Sequence, residues 1–314
     1  MFAWIWQNLL YLNLVKCLFV LMAFGMLCMS LMVNFCEHYL PIVIVQTFRY
    51  GKFSYTGKKS FINYFEVPKS WFRHFYVIAS LYSFAILYVI FNVYVLQSPV
   101  PESITKFLDF AGSPDRIVSV NLTTAIVALS LLCIQIWRRL FETLHVSVFS
   151  DCKINAVHYV VGIIHYLGAL TAILMESPAF AAPSFKHRVS FAVEDITMNL
   201  VVGSVIFCWA WYHQFKTAII LANLRKDSTG SVVSYDHKLP IGGLFHRLSA
   251  PHMFCEMLMY LALNIILWGH STWPYVFLWV FVNQCETALL SHWWYKSKFK
   301  AYPKKRKAFL PFIL

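Results

Sequence analysis

Four short stretches crowd titratable and aromatic side chains into a chain that is otherwise strongly apolar. In SHWWYKSKFKAYPKKRKAFLPFIL, residues 291–314, His292, Tyr295 and Lys296 follow one another at i, i+3 and i+4, so a helix would carry all three on one side. Pro303 then ends the helix, a basic cluster follows, and FLPFIL needs burial. The tail is therefore expected to fold back on the bundle or the membrane and hold its cations in place. In IWRRLFETLHVSVFS, residues 136–150, Arg138 and Arg139 lie within a turn of Glu142; the plainer reading is a local salt bridge worth about 0.3 to 0.5 kcal/mol. The stretch 213–260 combines His213, Arg225, Lys226, His237, Lys238, a Gly-Gly turn and Glu256 at the start of an apolar run. Glu256 is costly there unless paired, and His252 stands one helical turn before it. In YFEVPKSWFRHFY, residues 64–76, Glu66 has two readings. It is an interfacial carboxylate neutralised by Lys69 or Arg73, or a carboxyl in an apolar pocket that keeps its proton for chemistry.

Simple attraction to anionic lipid headgroups explains part of the charge, and helix C-termini and interfacial rings explain part of WWYKSK. Neither explains carboxylates placed among the cations, where a lipid-binding patch would not want them. A structured site is expected.

The elements that must position these residues are membrane helices. Of 314 residues, 59% are hydrophobic and 13% charged, a balance far from that of a soluble domain. Apolar stretches near 14–35, 75–96, 117–137, 156–175, 196–213, 253–269 and 272–291 approach the roughly 20 residues that cross hydrocarbon. The expected fold is therefore all-α: one polytopic integral membrane domain spanning 1–314, with about seven transmembrane helices, the last two forming a hairpin across His270 and Ser271. Sorted by loop, 21 of the 26 Lys and Arg fall on one face and 4 on the other (Lys106, Arg116, Lys186, Arg188), with Lys16 snorkelling from the first span. The tail is then cytosolic. The eight Cys lack a CxxC pair and read as small core residues, so no metal site is expected. A cleavable leader is not expected, nor is use of the Asn121-Leu122-Thr123 sequon.

EVPKSWFRHFY, RRLFETLHVSVFS, NLRK followed by LPIGGLFHRLSAPHMFCE, and above all LSHWWYKSKFKAYPKKRKAFLPFIL resemble the steroid 5-alpha-reductase family. Within that family the chain is most similar to the branch acting on polyprenol and polyprenal in dolichol synthesis. The resemblance runs from the first basic loop to the last residue. It implies an NADPH-dependent reductase of the endoplasmic reticulum, serving protein N-glycosylation, with a seven-helix membrane fold. The chain has no GxGxxG turn, so the phosphates of NADPH would be held by cations gathered from several loops, with the tail as one wall. Carried over position by position, Arg139, Arg225, Lys238, Glu256, Tyr295 and Arg306 match polar positions of the family's cofactor cavity. His213, His237 and His252 complete the cofactor-binding set. His252 stands where steroid-reducing members have Asn, and Ala218 where they have Asp.

Glu66 matches the family's Glu that hydrogen-bonds the substrate carbonyl, and His292 is the second catalytic candidate, orienting the nicotinamide or delivering a proton. Steroid reductases pair that Glu with a Tyr, but the corresponding stretch here reads Gln135-Ile136-Trp137-Arg138-Arg139. The missing hydroxyl argues against a steroid enone and for polyprenal. Hydride added to the beta carbon of an enal gives an enolate that aimed donors stabilise, whereas an allylic alcohol offers no such sink. The lipid substrate would enter from the bilayer, and no protein partner or nucleic acid is implied. The rival readings are a steroid or enoyl-lipid reductase, a prenylcysteine-type methyltransferase using S-adenosylmethionine, and a transporter. The last is disfavoured because few acidic groups fall inside the spans.

Overall fold

The computed structural model describes residues 11–49, 53, 60–181 and 193–313. Lys52, Lys58, Lys59, Lys186, Arg188 and Leu314 lie outside the described residues. Seven long helices occupy the seven predicted stretches: α1 (Leu14–Phe35), α3 (Phe72–Tyr94), α5 (Leu122–Phe141), α6 (Ala156–Met175), α7 (Met198–Asn223), α8 (Pro251–Ile266) and α9 (Trp273–Lys298). The shorter α2 (Ile42–Phe48) and α4 (Glu102–Gly112) lie between them. Their starts are chemically marked. Asn13, Asn121, Asn155 and Thr197 each cap a helix by accepting a backbone N–H with the side chain, and α8 and α9 open on proline. Because Asn121 is spent as the cap of α5, its sequon is tied into a helix start.

Among the described residues, four helical segments are long and apolar enough to cross a membrane: Leu14–Phe35, Lys69–Tyr94, Leu122–Val146 and Ala156–Met175. α7 and α9 are at least as long, but Trp211, His213 and Gln214 in the one and Asn283, Gln284 and Glu286 in the other dilute their apolarity. α8 is apolar but shorter. The all-helical expectation needs one amendment. Glu66–Pro68 forms β1 and Lys153–Asn155 forms β2, paired antiparallel with Glu66 opposite Asn155 and Val67 opposite Ile154. Pro68 keeps Val67 extended, and the ribbon fastens the segment before α3 to the start of α6.

α7 packs along α8, α9 lies against α1 and α8, and α3 rests on α5 and α6. Leu129, Leu132 and Ile136 of α5, Leu170 and Ile173 of α6, Tyr260 of α8 and Trp273 of α9 fill the shared core. At the end of the bundle away from the tail, Glu176 accepts hydrogen bonds from Ser271 N (2.8 Å), Ser271 Oγ (2.8 Å) and Thr272 Oγ1 (2.7 Å). Asn13 Nδ2 in turn donates to Thr272 Oγ1 (2.9 Å). This knot ties α1 and α6 to the α8–α9 link. Lys16 stands near the same end, 5.6 Å from the centre of the Tyr275 ring, as a snorkelling lysine would.

Candidate active site

The site is built at the tail end of the bundle, and the end of α5 anchors it. Beyond Phe141 the helix widens into one π turn, Glu142–Val146, and the strand-like Ser147–Ser150 follows. Such turns often mark functional positions because they re-aim side chains. Glu142 is fully buried and accepts ion pairs from Arg138 (3.3 Å) and from Arg139. The small value of a surface salt bridge therefore does not apply: two guanidiniums and a carboxylate share one buried position, and each needs the others. Arg139 Nε also donates to Tyr76 OH (3.2 Å), and Arg138 stacks over Trp211 at 4.9 Å.

A second layer joins α5, α7 and α8. Gln135 Nε2 donates to Glu256 Oε2 and to Gln214 Oε1, both at 2.9 Å; Gln214 Nε2 also donates to Glu256, and Arg138 reaches Gln135 Oε1 at 2.7 Å. The partners that make a carboxylate tolerable at Glu256 thus include two carboxamides from neighbouring helices. Gln214 Nε2 donates further to the His252 carbonyl (3.1 Å), fixing the top of α8.

Above this network lies a cavity of about 310 Å³. Lys69, Arg139, Arg225, His237, Lys238, His252 and Tyr295 all line it, together with Gln214 and Asp236. Six separate parts of the chain therefore meet in one hollow: Phe53, the turn before α3, the end of α5 with the segment after it, the end of α7 with its following loop, the start of α8, and α9. The loop is held by its own bonds. Arg225 donates to the carbonyls of Val148 and Asp236, and Lys226 Nζ to that of Val146 (3.5 Å), so the residues just after α7 grip the segment around the end of the π turn. Gly242 (φ 105°) and Gly243 (φ 50°) then turn the chain towards α8 in left-handed conformations that favour glycine. His237 packs edge-on against Trp294 at 5.5 Å.

The tail closes the site from behind. Lys307 forms a parallel bridge with Leu248, its carbonyl accepting from Ser249 N (2.8 Å) and its N–H donating to the Arg247 carbonyl (2.8 Å). Ala308 and Phe309 are buried against Met257 and Ala288, with Phe254 and Phe281 meeting the Phe309 ring. Arg306 is 3% exposed and lies 5.3 Å over the Tyr302 ring, which itself stacks on Tyr295. Its Nε and Nη1 have no hydrogen-bond partner. Burial lowers the pKa of both Arg225 and Arg306 and raises that of Tyr302, as expected for groups held out of water.

Several predicted residues stand elsewhere. His213 is one position out of phase with the lining face of α7, where Gln214, Ala218, Leu221 and Arg225 recur at helical spacing. Its ring packs on Trp209 (4.3 Å) and Tyr212 (5.3 Å) instead. His292 is outside the lining too: its Nδ1 is 2.7 Å from Ser249 Oγ and 3.0 Å from Tyr302 OH, so it clasps the tail to the bundle. Glu256 and Arg306 sit behind the wall, the first under Gln214 and the second behind Tyr295. Glu66 is half-buried on β1, three residues from Lys69 but not itself in the lining. Neither cation expected to neutralise it does so among the described residues. Lys69 turns to the cavity, and Arg73 Nε donates to the Ser70 carbonyl at 3.2 Å. Lys69, Gln214, Asp236, Thr287 and Ser291 are among the lining residues that sequence reasoning missed. Among the described residues no cluster suited to a metal ion is found, and the eight Cys are free.

The family model described as 3-oxo-5-alpha-steroid 4-dehydrogenase matches residues 162–314, which carry α7, α8, α9 and the tail. The chain is 42% identical to polyprenal reductase of Drosophila melanogaster over 288 residues, covering 90% of this chain and 88% of that one. It is 32% identical over 280 residues to polyprenal reductase of Caenorhabditis elegans, with 89% and 90% covered, and 34% identical over 250 residues to that of Homo sapiens, with 79% and 78% covered. The chain belongs to the steroid 5-alpha-reductase family. Members of this family are oxidoreductases acting on a carbon–carbon double bond, and the cavity fits the nicotinamide cofactor that such chemistry implies. Four cations face it, aromatic rings border it, and two nitrogens of the buried Arg306 remain unpaired just behind its wall.

Proposed function

We propose that this chain is an NADPH-dependent reductase of the endoplasmic reticulum membrane that saturates the alpha-isoprene double bond of polyprenal. The dolichal formed would feed dolichol synthesis for protein N-glycosylation. The observation that carries this reading is the convergence of Arg139, Arg225, Lys238, His252 and Tyr295 on one cavity from loops far apart in sequence. In this reading the whole chain is one membrane domain, all seven long helices cross the bilayer, and the cavity and tail face the cytosol. Lys69, Arg139, Arg225 and Lys238 supply the positive charge that a pyrophosphate and a 2′-phosphate need, and Tyr295 with His237 offers ring faces. When bound, NADPH supplies the hydride.

The chain's own share of the chemistry is positioning and polarisation. Glu66, fixed by the β1–β2 ribbon beside Lys69, donates a hydrogen bond to the aldehyde oxygen as charge develops there, and a proton is delivered to C2. His292 holds the tail that backs Tyr295. A polyprenyl chain contributes about 0.8 kcal/mol per buried CH₂, so the substrate stays in the bilayer and enters between helices.

Relatives named polyprenal reductase and the side chain at position 136 both favour polyprenal over a steroid. Ile136 is fully buried in the core where steroid reductases carry Tyr, so no hydroxyl is available there. The deciding experiment offers the purified enzyme polyprenal, polyprenol and testosterone with NADPH and follows saturation of each. Polyprenal alone should turn over. Efficient reduction of testosterone with inert polyprenal would reject the assignment. Glu66→Gln should lower turnover by about 10² to 10⁴ and leave NADPH affinity unchanged; unaltered turnover would remove Glu66 from the mechanism.

A further inference from the structure

The last long helix carries two different faces. At about 100° per residue, Thr287, Ser291 and Tyr295 point into the basic cavity, while Val282, Glu286, Leu289 and Trp293 fall on the opposite side. There, with α1, they enclose a second cavity of about 410 Å³. Its walls are hydrocarbon and ring: Leu27, Leu31 and Phe35 from α1 meet Phe281 and Leu289 from α9. The two cavities share no lining residue, so the second is not another view of the first.

Three polar side chains interrupt these apolar walls: Ser30 and Asn34 of α1 and Glu286 of α9, and the Ser30 hydroxyl is itself buried without a hydrogen-bond partner among the described residues. Glu286 is 2% exposed, and its Oε2 accepts a hydrogen bond from Asn34 Nδ2 at 2.8 Å. Its other oxygen, Oε1, is buried with no hydrogen-bond partner. Arg49, the cation whose charge reaches Glu286, is already paired with Glu37. An unpaired carboxyl oxygen among apolar side chains is expensive, and a donor arriving from the cleft would relieve that cost.

The chemistry of that donor is restricted. A phosphate would bring uncompensated charge among apolar walls whose described residues include no Lys or Arg, and an aldehyde, ester or ether brings only acceptors. A hydroxyl donates. The outward residues of α1 that continue the cleft, Leu21, Phe24 and Leu31, are exposed and apolar, so the cleft opens onto surface that suits a hydrocarbon chain. We propose that the cleft between α1 and α9 binds a long-chain lipid alcohol, its hydroxyl donating to Glu286 Oε1 and its chain running along the apolar wall. The assignment rests on the cleft alone and does not require the reductase reading. If both hold, the chain carries the alcohol form of an isoprenoid lipid on one face of α9 and reduces its aldehyde from the other.

The test uses the purified full chain in lipid nanodiscs with three photoreactive isoprenoid probes: the free alcohol, its methyl ether and its phosphate. Crosslinks are mapped by mass spectrometry. The alcohol should label α1 and α9 at the cleft about tenfold more than either analogue, the upper end of what one hydrogen bond supplies. In Glu286→Gln, Asn34 still needs an acceptor, so the amide should turn its NH₂ to the cleft. Alcohol and ether should then label equally, while NADPH binding, measured separately, stays at the wild-type level and reports a folded protein. Equal labelling by alcohol and ether in the wild type would overturn the proposal. So would alcohol labelling confined to the basic cavity, or a preference for the alcohol that survives in Glu286→Gln. Failure of NADPH to bind the wild type would instead strike the reductase reading and leave the cleft result standing.

Discussion

α1, α3 and α6 are built differently from α7, α8 and α9. The first three are mainly apolar and meet through residues such as Phe19, Ala79 and Leu170. The second three bring Gln214, His252, Glu256, Ser291 and Tyr295 inward, with Gln214 and Glu256 hydrogen-bonded to each other there. α5 belongs to both groups: apolar for four turns, it ends in Gln135, Arg138, Arg139 and Glu142. Within a bilayer a polar side chain is costly unless satisfied, so the helices with poor hydropathy are the ones where function is to be sought. The scaffold helices should then answer to mutation through stability, and the cavity helices through cofactor affinity.

The sharpest test of that division is the residue where the two groups meet. Glu142→Leu leaves two buried guanidiniums without their carboxylate and should cost about 3 to 5 kcal/mol. Both thermal stability in detergent and NADPH binding should fall, because Arg139 loses the group that aims it. A stable Glu142→Leu protein with normal NADPH affinity would show the triad to be dispensable.

Within the scaffold, Leu170→Ala opens a void at a fully buried position of α6 and should cost about 2 to 5 kcal/mol. NADPH affinity per folded molecule should not change. Arg225→Ala should do the reverse. Loss of one charge-assisted contact is worth about 1.5 to 3 kcal/mol, so NADPH should bind roughly ten- to a hundredfold more weakly by titration, with little change in melting temperature. If the two variants gave the same pattern, the distinction between the helix groups would collapse.

How much could be read from the chain follows the same line. α1 and α6 match their predicted bounds end to end, because each is a long apolar run that opens on a capping asparagine, Asn13 or Asn155. α7 and α9 run ten and seven residues past the apolar stretches that announced them, to Asn223 and Lys298, because their polar inner faces look like loop to a hydropathy count. At the site, charge and aromaticity drew attention to His213, yet helical phase with Ala218 and Arg225 selects Gln214 next to it. Lys69 was legible as a cation beside Glu66. Its turn into the cavity depends on the β1–β2 pairing and the carbonyl of Cys152, which accepts from Lys69 N at 2.9 Å. That contact joins residues far apart in sequence, which no local pattern announces.

The tail repeats the comparison on the smallest scale. FLPFIL was expected to be buried as a unit, but it divides. Phe309 is fully buried, whereas Phe312 is 80% exposed and Ile313 77%. The bridge from Leu248 to Lys307 sets the reason: it delivers Ala308 and Phe309 into the gap between α8 and α9, and the chain then turns at Leu310–Ile313, with Phe312 at φ 70°. Phe309→Ala should cost about 3 to 5 kcal/mol and loosen the tail behind Tyr295, weakening NADPH binding as well. Phe312→Ala should change stability by about 0.5 kcal/mol or less in detergent, as a surface substitution does. Phe312 still lies 5.8 Å from Arg247 and faces outward, where a membrane surface would meet it. The same substitution measured in bilayers should therefore cost more than in detergent; equal values in the two media would mean that Phe312 touches no lipid and that the tail is anchored by Ala308 and Phe309 alone.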